Sequence, residues 1–367
     1  MKNILCIAAG IVLASCKLLE AQTGGLEGVI VEKYYVSSFE DTLNSDSCGY
    51  LSNGSVTYRI YADLKPVYRL QAVFGVENHE LKIQTSTRFF NCRFSDGRSA
   101  NDIQPANLVY GTALLDSWVT VGAGALDYQA VMKSEDDTAA NLVLQNSTRV
   151  LRNKANGVEL ALTERDGMRY LRYQPATQFY NFDNDLHVFE YAWRDSVNGI
   201  LRTSNGAWAS FGGTVGPQPD NRVLIAQLTT DGVLDFELNI QIATPDGKVE
   251  KYVARNPGKE EIVLPDLIYS SNPDAKVSPV SLTCAQDLSR VEAGKTLKFS
   301  AETDVKSLES LEYYLDGKPV ATIKKAPFDF QFKSDGKGHS LYVKAHNKNG
   351  TRSCSKTLLL TSAELAN

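Results

Sequence analysis

Residues 311–332 read LEYYLDGKPVATIKKAPFDFQF, and this stretch decides the predicted fold. β-Branched and aromatic residues dominate both sides of Asp316-Gly317, a dipeptide that favours the tight turn of a β-hairpin. Residues 328–332 then alternate strictly, so Phe328, Phe330 and Phe332 share one face of a strand. The stretch therefore predicts a hairpin followed by a strand with one buried face.

Strand signals of the same length recur at regular intervals around this hairpin. They begin at 280–284 and 296–301, and they continue through 341–345 to 354–360. Seven short strands within about 85 residues are typical of a sandwich of two packed sheets. The sequence therefore predicts a β-sandwich over residues 280–362.

Several motifs of this region resemble a known family. They are residues 311–317 (LEYYLDG), 326–330 (APFDF), 339–345 (HSLYVKA) and Asn349-Gly350. Together they resemble the bacterial immunoglobulin-like modules of secreted proteins, and the resemblance covers about a quarter of the chain. It implies an immunoglobulin-like sandwich that acts as a spacer or an adhesion unit, because these motifs specify a fold and not a chemistry.

The N-terminal part of the chain is also predicted to be β-structure. Residues 56–62 alternate, with one face formed by Val56, Tyr58, Ile60 and Ala62 and the other by Thr57, Arg59 and Tyr61. This pattern predicts a half-buried strand. With the similar runs at 68–74 and 81–90, it predicts an antiparallel meander.

The predicted fold class is therefore all-β, with a large antiparallel β domain followed by the immunoglobulin-like sandwich. Prolines and turn residues place a linker at 266–279, between a β-rich domain at 22–265 and the sandwich. Whether the first region is one domain or two stays open. Residues 54–61, 115–122 and 222–232 are similar to a β domain of secreted bacterial surface proteins, a likeness that implies a compartment and no activity.

The first 21 residues are predicted to be an export signal. A Lys near the N-terminus precedes about ten apolar residues, too few to cross a bilayer. The preferred cleavage site is the lipobox at residues 13–16, which would attach a lipid to Cys16, and the alternative is a signal-peptidase site after Ala21. Both predict an extracytoplasmic protein, either an outer-membrane lipoprotein or a secreted one.

Four cysteines remain after the predicted signal: Cys48, Cys92, Cys284 and Cys354. They allow three pairings, and sequence separation favours Cys48–Cys92 and Cys284–Cys354. In the immunoglobulin-like fold, the second pair is expected to join a first and a last strand that lie side by side. The alternative, a metal site, has no C-x-x-C spacing to support it.

Composition and charge narrow the classes of partner. The net charge is −5 and no block of Lys and Arg stands out, so a nucleic-acid partner is not expected. Beyond the export signal, the sequence predicts membrane attachment only through the N-terminal lipid.

Aromatic residues supply the candidate ligand-binding positions. Residues 186–193 are predicted to form a strand along which Phe189, Tyr191 and Trp193 alternate, with Tyr180 shortly before it and Trp208 beyond. Exposed rings stack against sugars, whereas buried rings form core, and both interpretations stay open. Trp208, which precedes a glycine-rich loop, is predicted to be the most exposed of them.

Catalytic and metal motifs are not recognised. Asp183 and Asp185 are weak candidates for a calcium site, with a polar turn as the alternative, and no other cofactor is expected. Without nucleophile or phosphate-loop patterns, the chain is not predicted to be an enzyme. The leading hypothesis is surface binding or adhesion to glycan or matrix. The alternatives are a structural component of the outer surface and a polysaccharide-acting enzyme without a recognisable motif.

Overall fold

The computed structural model describes the parts of the chain at 24–45, 48–132, 151–153, 160–162, 167–182, 184–272, 275, 280–288, 290–303, 305, 308–315, 318–337, 339–348, 352–355 and 358–360. These residues form β-strands almost throughout, which confirms the all-β prediction. The described α-helix, α1 (Phe39–Asn44), begins at a capping box in which Ser38 and Asp41 bind each other's backbone N–H. In these stretches, no helix combines the length and apolar character needed to cross a membrane.

A four-stranded antiparallel sheet forms the centre of the N-terminal region. Its order is β1 (Leu26–Val36), β2 (Val56–Leu64), β14 (Arg222–Thr230) and β5 (Trp118–Val119). β2 and β14 are buried along almost their whole length. A strand with other strands on both sides and packed layers on both faces needs apolar or fully bonded side chains throughout.

Two further sheets pack against one face of this central sheet. One has six strands, in the order β11 (Gln178–Tyr180), β13 (Ala207–Thr214), β3 (Arg69–Phe74), β16 (Ile240–Ala243), β17 (Val249–Val253) and β18 (Glu261–Val263), and β17 and β18 run parallel. The other has the order β12 (Ile200–Thr203), β4 (Leu81–Thr85), β15 (Leu234–Glu237) and β19 (Ile268–Ser270).

Smaller pairings complete the N-terminal region. β10 (Met168–Tyr170), β7 (Tyr128–Ala130) and β6 (Ala123–Ala125) form one sheet, and β8 (Leu151–Asn153) pairs with β9 (Leu160–Leu162). Short 3-10 helices lie at Ala100–Asp102, Pro105–Asn107, Ala113–Leu115, Asp185–Phe189, Tyr191–Trp193 and Pro265–Leu267.

Two hydrophobic clusters lie on the two faces of the central sheet. The larger cluster takes Tyr58 and Ile60 from β2 and joins them to the six-stranded sheet through Trp208. The smaller takes Tyr61 from the opposite face of β2 and includes the Cys48 and Cys92 side chains. The predicted half-buried strand at 56–62 is therefore wrong, because both of its faces are covered.

The predicted meander is also wrong. β2, β3 and β4 follow one another in sequence, but each belongs to a different sheet. Similarly, the first residues of the predicted linker, 266–279, belong to the N-terminal region, because Ile268–Ser270 pairs with β15 and Ser271 bonds to Leu234. Turn-forming residues alone do not show that a chain has left its sheet.

The C-terminal region is a sandwich of two sheets. One has the order β20 (Val280–Cys284), β21 (Thr296–Thr303) and β24 (Phe328–Lys333). The other has β23 (Lys318–Ile323), β22 (Leu308–Leu315), β25 (His339–Asn347) and β26 (Arg352–Cys354), and β27 (Leu358–Leu360) also pairs with β25. Both sheets contribute to one core, against which all three Phe residues of β24 pack.

β23 forms one edge of the larger sheet. It pairs antiparallel with β22, with Leu315 opposite Lys318, as the predicted hairpin requires. Its first three residues, Lys318, Pro319 and Val320, are exposed.

The sandwich contacts the N-terminal region through a buried ion pair. The Lys344 ammonium on β25 donates to the Asp63 carboxylate on β2, and both side chains are almost completely buried. Arg222 on β14 lies 3.6 Å from the other Asp63 oxygen. The ammonium also lies 4.8 Å from the centre of the Tyr314 ring, so apolar and charged contacts together fix this junction.

Candidate binding groove and the predicted site residues

An open groove of about 410 Å³ lies at one end of the central sheet. Four separate segments line it: 50–52 with Ser55, 87–91, 194–195, and 230–231. The segments come from the chain after α1, the chain after β4, the turn after a 3-10 helix and the end of β14. Its volume is in the usual range for small-molecule sites.

A disulfide and a glycine hold two walls of the groove together. Cys48 and Cys92 form the predicted bridge, with their Cα atoms 4.6 Å apart. Between them, Gly49 has φ +148°, and a Cβ on it would lie 2.7 Å from the carbonyl oxygen of Asn91. A side chain at position 49 would push these segments apart, so the close approach requires glycine.

Two hydroxyl groups fix the Asp231 carboxylate in the groove. Asp231 accepts hydrogen bonds from Ser52 Oγ at 2.8 Å and from Thr87 Oγ1 at 2.6 Å. The two bonds use both carboxylate oxygens and join three of the four segments. They hold an acceptor in place at a surface where a ligand hydroxyl can reach it.

An arginine–carboxylate pair also lines the groove. Arg88 donates from Nη1 to Asp195 Oδ1 at 3.3 Å and to the Arg194 carbonyl at 3.2 Å. The Arg88 and Asp195 side chains are both more than half-exposed, so this pair adds little stability and its polar atoms stay accessible to a ligand.

Asn91 has an unused acceptor. Its side chain is 4% exposed, and Nδ2 donates to the Val188 carbonyl at 2.9 Å. Oδ1 is buried and has no hydrogen-bond partner among the described residues. A buried polar oxygen without a partner is costly.

Aromatic rings lie at the groove and beside it. Tyr50 lines the groove and is 78% exposed. Trp193, which precedes the lining residue Arg194, is 44% exposed and stacks on His187 with ring centres 4.5 Å apart. Tyr191 lies under the Arg194 guanidinium, 3.9 Å from its ring centre.

The structure separates the predicted aromatic positions. Trp193 and Tyr191 lie close to the groove, in a 3-10 helix and not in the predicted strand at 186–193. Tyr180 is half-exposed on β11 and does not line the groove. The prediction for Trp208 is wrong: its side chain is 0% exposed and its indole N–H donates to the Thr120 carbonyl at 3.1 Å.

The calcium candidates do not form a recognisable site in the described residues. Asp185 is exposed in a 3-10 helix, and Asp183 lies outside the part of the chain that the structure describes. Over that part, no group of three or more His, Cys, Asp or Glu side chains could hold a metal ion.

The predicted Cys284–Cys354 bridge is wrong, because Cys284 is a free cysteine whose Sγ contacts Gln286. β20, which ends at Cys284, belongs to the smaller sheet of the sandwich, whereas β26, which ends at Cys354, pairs with β25 in the larger one. The two strands are therefore not side by side. Cys16 lies outside the described residues.

The sequence does not single out most of the residues that line the groove. Tyr50, Arg88 and Asn91 stand in irregular segments, and nothing in their spacing joins them to Asp231. The one available signal was the disulfide, since a bridge between Cys48 and Cys92 brings their neighbours together.

Comparisons with known proteins give a limited result. No known family model matches the sequence, and no curated protein is detectably similar to it. A solved structure of fibronectin(III)-like modules of Clostridium thermocellum CbhA is 18% identical, covering 22% of this chain and 94% of that one, with a TM-score of 0.19. The tripod from the baseplate of bacteriophage Tuc2009 is 10% identical, covering 94% of each chain, with a TM-score of 0.13. These TM-scores are low, so the fold assignment rests on the sheets described above.

Proposed function

We propose that this protein is an extracytoplasmic binding or adhesion protein and that the groove binds a glycan. The observation that carries the proposal is the combination, in one open groove, of an exposed tyrosine ring with fixed hydrogen-bonding groups. Sugars present flat C–H faces and many hydroxyls, so a site for them needs rings to stack on and donors and acceptors at set positions.

The groups in the groove match this requirement. Tyr50 supplies the ring, Arg88 supplies donors, and Asp195 and Asp231 supply acceptors. The two arginines, Arg88 and Arg194, balance the two carboxylates in charge, which favours a ligand rich in neutral hydroxyls over a strongly charged one.

The proposed compartment is supported from two sides. The N-terminal 21 residues carry the pattern of an export signal, and the Cys48–Cys92 bridge is of the kind that persists outside the reducing cytoplasm. We propose that cleavage at the lipobox and lipidation of Cys16 attach the mature protein to a membrane. Fatty-acid labelling that is lost in Cys16→Ala tests the anchor.

Binding of the purified chain to an array of soluble oligosaccharides, with and without calcium, tests the proposed function. Tyr50→Ala and Trp193→Ala are expected to weaken saturable binding, Tyr50→Ala by about tenfold, which corresponds to the loss of about 1.4 kcal/mol of stacking. Tyr173→Ala is a matched control, because Tyr173 is also 78% exposed and does not line the groove.

Two outcomes count against the proposal. If the wild-type protein binds nothing on the array, the structural alternative takes its place, in which the sandwich is a spacer. If Tyr50→Ala and Arg88→Ala both bind as the wild type does, the groove is not the site. Release of reducing sugar from a bound ligand, abolished in Asp195→Asn, would instead show a polysaccharide-acting enzyme.

A further inference from the structure

The outer face of the six-stranded sheet carries a second group of exposed ring and amide side chains. The register places Gln178, Ala209, Ala72 and Gln241 side by side across four strands. Tyr180 on β11 and Phe211 on β13 flank the Gln178 end of this row, Tyr180 on one side of it and Phe211 on the other. We name these six residues the outer platform.

The burial pattern places the platform on the outer face of the sheet, where Gln178, Tyr180 and Phe211 are exposed and the other three residues are half-buried. Trp208 on β13 and Val73 on β3 point inward and are 0% exposed, as is Ile240 on β16. Their neighbours in sequence lie on the opposite face, because side chains alternate along a strand. Strands are about 4.8 Å apart, so the four-residue row is about 14 Å long.

A bulge presents Phe211. Ala209 pairs with Ala72, but the next pair is Thr214 with Leu70, so β13 has extra residues at this point. Gly212 and Gly213 have φ of +79° and +73°, a conformation that glycine adopts without strain. The bulge leaves the Phe211 ring 93% exposed, which is unfavourable in water unless a ligand covers it.

The platform is polar between its rings but carries no ionisable group other than the Tyr180 phenol. The Tyr180 hydroxyl donates to Gln178 Oε1 at 2.7 Å, and Gln241 Nε2 donates to Gln71 Oε1 at 3.0 Å. The next residue along the row, Lys251, is the first with a charge. The alanines keep the centre flat.

We propose that the outer platform is a second carbohydrate-binding surface, which binds the flat face of an extended, neutral polysaccharide. The two rings stack on sugar units, and the amides of the row bond to hydroxyls. A protein partner fits less well, because Phe211 is the platform's one large aliphatic or phenyl side chain and protein interfaces need a broader apolar centre. None of its six residues lines the groove, so the two sites are separate.

Binding isotherms on insoluble cellulose, chitin and β-1,3-glucan test this proposal. The variant with both Tyr180→Ala and Phe211→Ala is expected to lose at least about tenfold in affinity for an insoluble polymer that the wild type binds. Phe39→Ala is the matched control, because Phe39 is exposed on α1, away from the platform. Thermal unfolding shows whether each variant is folded, and exposed side chains are expected to leave the midpoint unchanged.

The groove and the platform can be told apart. Tyr50→Ala is expected to weaken binding of soluble oligosaccharides while leaving part of the binding to insoluble polymer, and the platform double variant is expected to do the reverse. Wild-type binding by a folded double variant, or no binding of the wild type to any of the three polymers, overturns the platform proposal. Neither result depends on whether the groove binds a glycan.

Discussion

Burial decides the behaviour of individual residues that look alike in sequence. Trp208 and Phe211 are three positions apart on β13, yet one is 0% and the other 93% exposed. Alternation places positions 208 and 211 on opposite faces of the strand, but it does not show which face the core covers. Trp208 packs in the core, and the exposed ring is one that the sequence did not single out.

Asp116 is a buried carboxyl group whose protonation is coupled to folding. It is 0% exposed, and its Oδ1 accepts the backbone N–H of Cys92 at 2.8 Å. Burial raises the pKa of Asp116 well above its ordinary value of 3.8, with the hydrogen bonds from Cys92 and its neighbours acting in the opposite direction.

The sign of the pH effect follows from this raised pKa. Between pH 3.8 and the raised value, the folded protein holds a proton that the unfolded chain releases. The free energy of unfolding therefore falls as pH rises through this window. Urea unfolding at several pH values is expected to show that Asp116→Asn removes this part of the pH dependence. Asp127→Asn, at an exposed position, is the control, and parallel profiles for the wild type and Asp116→Asn would contradict the prediction.

At the scale of elements, the position of a strand in the sequence was easier to predict than the residues that pack against it. Residues 56–62 form a strand as the alternation indicates, but Arg59 is buried and its guanidinium lies 3.7 Å from the centre of the Tyr34 ring. Gln227 and the Gly167 carbonyl accept its hydrogen bonds. A polar residue in an alternating pattern marks a solvent-facing side only when no buried partner satisfies its charge. The partners of Arg59 are distant in sequence, so the pattern does not reveal them.

The Cys48–Cys92 bridge closes a loop with a sequence separation of 44 and is expected to stabilise the fold. On the chain-entropy model, a loop of this length contributes about 4 kcal/mol. The double variant with Cys48→Ser and Cys92→Ser is expected to lower the free energy of unfolding by that order, measured with urea under oxidising conditions. Cys284→Ser is the control, because Cys284 is free. Equal stability of the double variant and the wild type would contradict the prediction.

At the scale of the whole molecule, the junction between the two regions depends on buried charge. Lys344 and Asp63 are each about 2% exposed, and removing one partner of such a pair typically costs about 3–5 kcal/mol. Lys344→Met is expected to lower the unfolding midpoint and to increase the radius of gyration measured by small-angle scattering. Lys333→Met, at an exposed position of the sandwich, should change neither quantity.

The outcome that contradicts this prediction is a Lys344→Met variant with the dimensions and stability of the wild type. It would mean that the apolar contacts of Tyr314 and the connecting chain hold the two regions in place without the ion pair. The test distinguishes a fixed junction from two regions joined only by a connecting segment.

The fold class and the sandwich could be predicted because they depend on local patterns. The hairpin at Leu315 and Lys318 and the three Phe residues of β24 are set by turn chemistry and alternation over a few residues. The groove could not be predicted in this way, since Tyr50, Asn91, Asp195 and Asp231 come together only through the pairing of distant strands. Sequence periodicity carries no information about those pairings.

The edge strand β23 has a consequence for molecules held close together. An open strand edge is a template on which a neighbouring copy can add its own strand and begin a fibre. At this edge Pro319 has no N–H to offer, and exposed Lys318 brings a positive charge that repels the same residue of a neighbouring copy. The sandwich is therefore suited to dense display, in which many copies stand side by side without aggregating through this edge.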